Sequence, residues 1–111
     1  MKTNPIVVIE SFYPKSEHIH DVLKILKETS SMIKEQEGAL MSLSLKPEKN
    51  EGPITEVAMW ESREKFTNFM KSEHMEKIMK TGLADKVKNW TTDIKASLFT
   101  IEQAWHVESH D

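Results

Sequence analysis

The order of strand-like and helix-like segments is the feature of this sequence that most constrains its fold. Residues 6–13 are rich in β-branched and aromatic side chains, which predicts a strand. Apolar residues then recur at three- and four-residue steps between positions 19 and 33, which predicts an amphipathic helix with Ser16 as its N-cap. Residues 40–46 alternate between apolar and polar side chains and predict a second strand.

The second half of the chain follows the same order without repeating the sequence. A polar loop at 47–53 leads into a third strand, which ends at Trp60. Ser62 and Ser72 are good N-caps for two successive helical segments, and residues 94–105 predict the last strand. The resulting order, β-α-β-β-α-β, indicates an α+β fold, namely a ferredoxin-like sandwich with an antiparallel sheet.

Length and composition limit the classes of function. The 111 residues suit one domain, which we assign to residues 1–105, with a C-terminal tail at 106–111. The formal net charge is −3 and no basic stripe is present, so we expect no nucleic acid partner. The absence of cysteine excludes disulfides and thiol catalysis. Apolar runs are too short to span a bilayer, so we expect a cytoplasmic protein that does not bind membranes.

The strands carry apolar residues on both of their faces. An antiparallel sheet that helices cover on one side should present polar residues on the other. Here the first and last strands are apolar on both faces. In the first strand Ile6 and Val8 face one side and Val7 and Ile9 the other; in the last strand Phe99 and Ile101 lie opposite Leu98 and Ala104. We therefore expect a homodimer, in which the uncovered sheet faces of two copies pack against each other and are buried from water.

One strand-to-helix turn suggests a pocket and also carries a family resemblance. It reads Met59-Trp60-Glu61-Ser62, then Phe66 and Phe69 on a helix, then Ser72-Glu73-His74. The pattern resembles the antibiotic biosynthesis monooxygenase family, and the likeness extends over about residues 5–105. It implies a dimeric α+β barrel. The family contains cofactor-free oxygenases of polycyclic phenols and anthrones, haem-degrading enzymes and a quinol oxygenase.

The resemblance implies a cofactor-independent monooxygenase that acts on a small phenolic, quinol or polycyclic aromatic substrate. Such an enzyme removes a substrate proton, shields the anion from water and admits oxygen. His74 is the candidate catalytic base, because the adjacent helix start favours a neutral ring. Trp60, Phe66 and Phe69 are candidate substrate-binding walls, and Tyr13 is a candidate polar anchor. Each of these residues has the alternative role of an ordinary packing residue.

Departures from the haem-degrading branch argue against haem breakdown, and we expect no cofactor. That branch has Trp and His where this chain has Phe69 and Met79, and Asn near Glu10 or Ser11. Phe69 also stands where family oxygenases often carry a histidine. The alternative function is a non-catalytic stress-response module that binds an aromatic metabolite or haem.

Other polar residues offer weaker candidates. His106 and His110 have the four-residue spacing of a helical metal pair, but no third ligand is evident, so no metal site is expected. Glu56 and Glu102 are both predicted to lie in strands. The sequence gives no sign that these two carboxylates share a site.

Overall fold

A four-stranded antiparallel sheet, with helices on one face, forms the fold of this protein. The computed structural model describes residues 4–49 and 51–105. The strands lie in the order β2-β3-β1-β4. Along the chain the elements are β1 (Ile6–Pro14), a 3-10 turn (Ser16–His18), α1 (Ile19–Ile33), β2 (Ala39–Leu45), β3 (Ile54–Trp60), α2 (Arg63–Met70), α3 (Glu73–Lys80), α4 (Leu83–Trp90) and β4 (Thr91–Thr100). This is the predicted α+β ferredoxin-like architecture, with the second helical region divided into three helices of eight residues each.

Two of the predicted helix caps are present. The hydroxyl of Ser62 accepts a hydrogen bond from the Lys65 amide, and that of Ser72 accepts one from the Met75 amide, each at 3.2 Å. These caps satisfy amides that the first turn of a helix leaves without a partner. They start α2 directly after β3 and start α3 directly after α2.

Two other local predictions are wrong. Ser16 does not cap α1, because it lies in a 3-10 turn that precedes the helix. The last strand starts at Thr91 and ends at Thr100, instead of running from 94 to 105. Its bounds follow from its neighbour, since the pairing with β1 runs from Pro14 opposite Thr91 to Ile6 opposite Thr100. The predicted tail at 106–111 lies outside the described residues.

The core between sheet and helices consists of two separate clusters of buried residues. One joins the end of β1 and the start of β3 to α1 and α4, through Phe12, Val22, Ile25, Leu26, Ile54 and Val87. The other joins the start of β1 and the end of β3 to α2, through Ile6, Val8, Trp60 and Phe69. Glu10 of β1 and Glu56 of β3 occupy inward-facing positions between the two clusters and belong to neither of them.

The opposite face of the sheet is mainly apolar, as predicted from β1, although Ile101 and Ala104, which also entered that prediction, lie beyond the end of β4. We call it the outer face and define it by the register, which places the side chains of Val7, Ile9, Met41, Leu43, Leu45, Val57, Met59 and Phe99 on it. Leu43 is 45% exposed and Phe99 is 48% exposed. In β2 it is the two serines, Ser42 and Ser44, that face the helices.

Candidate functional site

A cavity of about 340 Å³ lies between the inner face of the sheet and the helices. All four strands and all four helices contribute to its lining, which is mainly apolar. The exposed side chains of Met70, Met79 and Ile94 are part of the lining and mark where the cavity reaches the surface. A largely apolar concave site of this size suits a small organic ligand.

Three aromatic side chains form one end of this cavity. Trp60 is only 1% exposed, and its ring stacks on that of Phe69, with centroids 5.1 Å apart and planes inclined by 28°. Phe66 packs against Trp60 in a tilted arrangement, at 5.9 Å and 59°. Because Ser62 starts α2 two residues after β3 ends, one helix brings both phenylalanines to the tryptophan. These three predicted wall residues thus come together, and Trp60 and Phe69 also belong to the core.

Two carboxylates lie on the inner face of the sheet, between the two core clusters. Glu10 of β1 stands directly opposite Glu56 of β3 in the strand register, and both side chains line the cavity. Ser44, the next residue across on β2, donates its hydroxyl to Glu56, with Oγ 2.8 Å and 2.9 Å from the two carboxylate oxygens. The cavity therefore has an aromatic end and an acidic floor, the floor being the part of the inner sheet face that carries Glu10 and Glu56.

Burial changes the acid–base behaviour of this pair. The pKa of Glu56 is raised to about 7: desolvation is the main cause, the Ser44 hydrogen bond opposes the rise, and the neighbouring Glu10 carboxylate adds to it. Desolvation also raises the pKa of Glu10 above its usual range. Glu56 therefore exchanges its proton near neutral pH, where a general base or acid is most effective.

Sequence reasoning did not identify the pairing of Glu10 with Glu56. A signal was available, because each glutamate occupies an inward position in a strand whose other inward positions are apolar: Ile6, Val8 and Phe12 in β1, and Ile54, Ala58 and Trp60 in β3. A charged residue at such a position marks either an exposed strand end or a functional site. Only the strand register places the two carboxylates beside each other.

Tyr13 does not line the cavity. It alternates with Phe12, which points into the core, and so lies on the other side of the sheet. There the ammonium group of Lys95 lies 5.5 Å from the centroid of the Tyr13 ring. The predicted anchor is thus separated from Trp60 and Phe69 by the sheet itself.

His74 is also placed away from the cavity. It follows the Ser72 cap of α3, as predicted, but its ring lies in a separate groove with residues of α1 and of the turn after it, including Met32 and Glu35. Its Nε2 atom is buried and makes no hydrogen bond within the part of the chain that the structure describes. The structure therefore does not bring His74 together with the aromatic wall.

Residues 4–49 and 51–105 contain neither a metal-binding cluster nor a membrane-spanning helix. There, no three His, Cys, Asp or Glu side chains come close enough to hold a metal ion. None of the helices in these ranges has the length and hydropathy needed to cross a lipid bilayer. His106 and His110 lie outside the described residues.

Comparison with known proteins identifies the fold and family. The family model described as antibiotic biosynthesis monooxygenase matches residues 5–81. No curated protein sequence matches the chain. A solved structure from Deinococcus radiodurans, named after the same monooxygenases, superposes with a TM-score of 0.76 at 14% identity and covers 94% of this chain and 99% of its own.

Two further solved structures share the fold. SnoaB, a cofactor-independent oxygenase from Streptomyces nogalater, gives a TM-score of 0.72 at 13% identity and covers 92% of this chain and 97% of its own. A conserved protein from Methanosarcina mazei gives a TM-score of 0.73 at 12% identity, with coverages of 88% and 93%. At such identities, likeness of structure supports the fold and leaves activity to be argued from the site.

Proposed function

The chain belongs to the antibiotic biosynthesis monooxygenase family, and from this premise we propose that it is a cofactor-independent monooxygenase of a small phenolic, quinol or polycyclic aromatic substrate. The observation that carries the proposal is the largely apolar cavity, closed at one end by the stacked rings of Trp60 and Phe69. A flat substrate can stack on such a wall and leave bulk water. The likeness to SnoaB, itself a cofactor-independent oxygenase, supports the same reaction class.

The reaction places few demands on the protein, because an electron-rich aromatic substrate supplies its own electrons. In the oxidation of an anthrone, the ring CH₂ group becomes a carbonyl, one atom of O₂ enters it, and the other leaves as water with the two hydrogens. The protein has to bind the ring, assist loss of a proton and exclude water from the resulting anion. An apolar cavity with titratable groups on its floor meets these requirements.

The test is oxygen consumption by purified, chelator-treated protein with a panel of hydroquinones, naphthols and anthrones. We expect uptake above the rate without protein for at least one of them, with one oxygen atom from ¹⁸O₂ in the product. The alternative function, non-catalytic binding of an aromatic metabolite or haem, predicts saturable binding without turnover. Absence of uptake across the panel, with binding retained, would therefore favour the alternative.

We also propose that a second copy of the chain covers the outer face. The eight apolar side chains that define this face are contiguous across all four strands, which is unusual for a face left in water. A second copy offers the same apolar surface and can bury it in a symmetric interface. The cavity lies on the other side of the sheet from this interface, and one chain supplies all the lining residues described above.

A further inference from the structure

The floor of the cavity carries the acid–base groups that the aromatic wall lacks. Among the described side chains that line the cavity, Glu10 and Glu56 are the titratable ones, and the facing positions on α1, α3 and α4 are hydroxyl-bearing or apolar. No cationic side chain of the described residues lines the cavity to neutralise them. The nearest positions of the same strands, Val8, Phe12 and Ala58, are apolar.

The two glutamates are held in different ways. Ser44 donates to both carboxylate oxygens of Glu56, which fixes the plane of that carboxylate against β2. Glu10 has no such hydrogen bond in the described structure and stands across the strand pair from Glu56. Directly opposed residues of neighbouring strands have Cβ atoms about 4.5–5.5 Å apart, so two negative charges here repel each other.

The positions of Glu56 and Trp60 relate the acidic floor to the aromatic wall. Both side chains point inward from β3, four residues apart, which places their Cα atoms ~13 Å from each other along the strand. A substrate that stacks on the Trp60 wall and reaches Glu56 must therefore extend along the strand. A fused ring system with a hydroxyl group at its far edge has the required shape.

Building on the proposed function, we propose that Glu56 is the catalytic base that accepts the proton of a ring hydroxyl on this substrate, and that Glu10 and Ser44 are its positioning residues. The O–H bond breaks, the proton moves to a carboxylate oxygen of Glu56, and the electron pair stays on the ring oxygen. The step removes the repulsion between Glu56 and Glu10 and spreads the charge over the aromatic system. A phenol releases its proton near pH 10, so a base of raised pKa is better matched to it than an ordinary carboxylate.

The test compares 2-naphthol with naphthalene, which has the same rings and no hydroxyl group. Binding is followed by the fluorescence of Trp60, in a background variant that carries Trp90→Phe and Trp105→Phe. We expect the affinity of the background variant for 2-naphthol to be higher at pH 8 than at pH 6, because Glu56 loses its proton over this range. At pH 8, adding Glu56→Gln should lower that affinity about tenfold, since a hydrogen bond to a charged group is lost. Naphthalene should bind equally at both pH values and to both proteins.

Glu10→Gln provides a readout that a purely structural role would not change. Removing the neighbouring charge lowers the pKa of Glu56, so the midpoint of the 2-naphthol pH profile should move to lower pH, together with that of the oxygenation rate. Glu102→Gln, an exposed acid outside the cavity, is the matched control and should change neither profile. Both cavity substitutions keep the side-chain shape, and circular dichroism checks that the variants fold.

The possible outcomes separate this inference from the proposed function. Oxygen uptake that persists unchanged in Glu56→Gln would overturn the role of Glu56 while leaving a monooxygenase. The 2-naphthol affinity could instead change in Glu56→Gln and Glu10→Gln as expected while no substrate gives oxygen uptake. That result would support the contact between Glu56 and the ring hydroxyl and contradict the proposed monooxygenase activity. Tighter binding of the cation 1-naphthylmethylammonium than of 2-naphthol, lost in Glu56→Gln, would overturn the inference in favour of an amine site.

Discussion

Glu10 and Glu56 face each other across β1 and β3 and share the wall of one cavity. Two carboxylates at opposed positions of a half-buried sheet cost stability when both are ionised. Their presence inside a largely apolar cavity is therefore the strongest mark of function in this fold. It also makes the protein sensitive to pH in a direction that can be worked out.

Stability should decrease as the pH rises from about 5 to 8. The pKa of Glu56 is raised to about 7 in the folded protein, above its ordinary value of 4.5, so between these values the folded state binds more protons than the unfolded state. Because Glu56 is only half-buried, solvent screening reduces the effect, and the loss should amount to roughly 1–2 kcal/mol. Urea unfolding at pH 5 and pH 8 measures it, and in Glu56→Gln most of the difference should disappear. A wild-type stability that increases over this range would contradict the prediction.

Substitution of His74 by alanine should leave substrate turnover within roughly twofold of wild type, because the ring lies in a groove outside the cavity. The measurement is the oxygenation rate of His74→Ala beside that of Glu56→Gln, with both proteins checked for folding. A rate that collapses in His74→Ala and survives in Glu56→Gln would return the role of base to His74. The unbonded, buried Nε2 of this residue would then acquire a functional explanation.

Trp60 should contribute to both stability and binding. Trp60→Phe shortens a fully buried side chain that stacks on Phe69, and we expect a loss of roughly 1–3 kcal/mol in the free energy of unfolding. The affinity for naphthalene, measured by isothermal titration calorimetry, should fall as well. Trp105→Phe is the matched control, because Trp105 is 78% exposed and its substitution should change neither quantity.

A charge on the outer face should prevent self-association. Leu43 lies on this face and is 45% exposed, so Leu43→Glu is tolerated by an isolated chain but would place a carboxylate in an interface with a second copy. Light scattering should give a particle of twice the 12.9 kDa chain mass for wild type and of one chain mass for the variant. Lys24→Glu on the exposed side of α1 should remain dimeric. A wild-type protein that scatters as a single chain would contradict the dimer.

Gly38 should be hard to replace. Its φ of +88° disfavours other residues, and an added Cβ would lie 2.5 Å from Cβ of Lys65 at the start of α2. Gly52 has a similar φ of +97° but open space around it. We expect Gly38→Ala to cost about 1–3 kcal/mol for the backbone, plus the displacement of Lys65, and Gly52→Ala to cost the backbone part alone. Equal losses in chemical denaturation would rule out the contribution of the Lys65 contact.

The fold could be predicted from the sequence because its signals are local. Strand alternation, the Ser62 cap and the turn after Trp60 each act over a few residues, and together they determine the element order. The end of β4 could not be predicted, because it is set by the start of its partner strand, where Ile6 pairs with Thr100. Apolar residues at 101 and 105 continue the strand-like pattern beyond that point.

The site was predicted only in part, for the same reason. The aromatic wall is local, since Trp60, Phe66 and Phe69 lie on adjacent elements. His74 is close to them in sequence, but α3 turns its ring toward α1. The pairing of Glu10 with Glu56 links residues 46 positions apart, and the raised pKa of Glu56 arises from burial that no local pattern reports.

The alternation of side chains along β3 assigns neighbouring residues to opposite tasks. Glu56 and Trp60 belong to the cavity, whereas Val57 and Met59 belong to the outer face. Insertion or deletion of one residue between Glu56 and Trp60 would reverse the alternation on one side of the change, so that one of the two side chains would turn outward. Natural variants of this fold should therefore differ in length within loops such as the segment between Leu45 and Ile54, while the length of β3 itself stays constant.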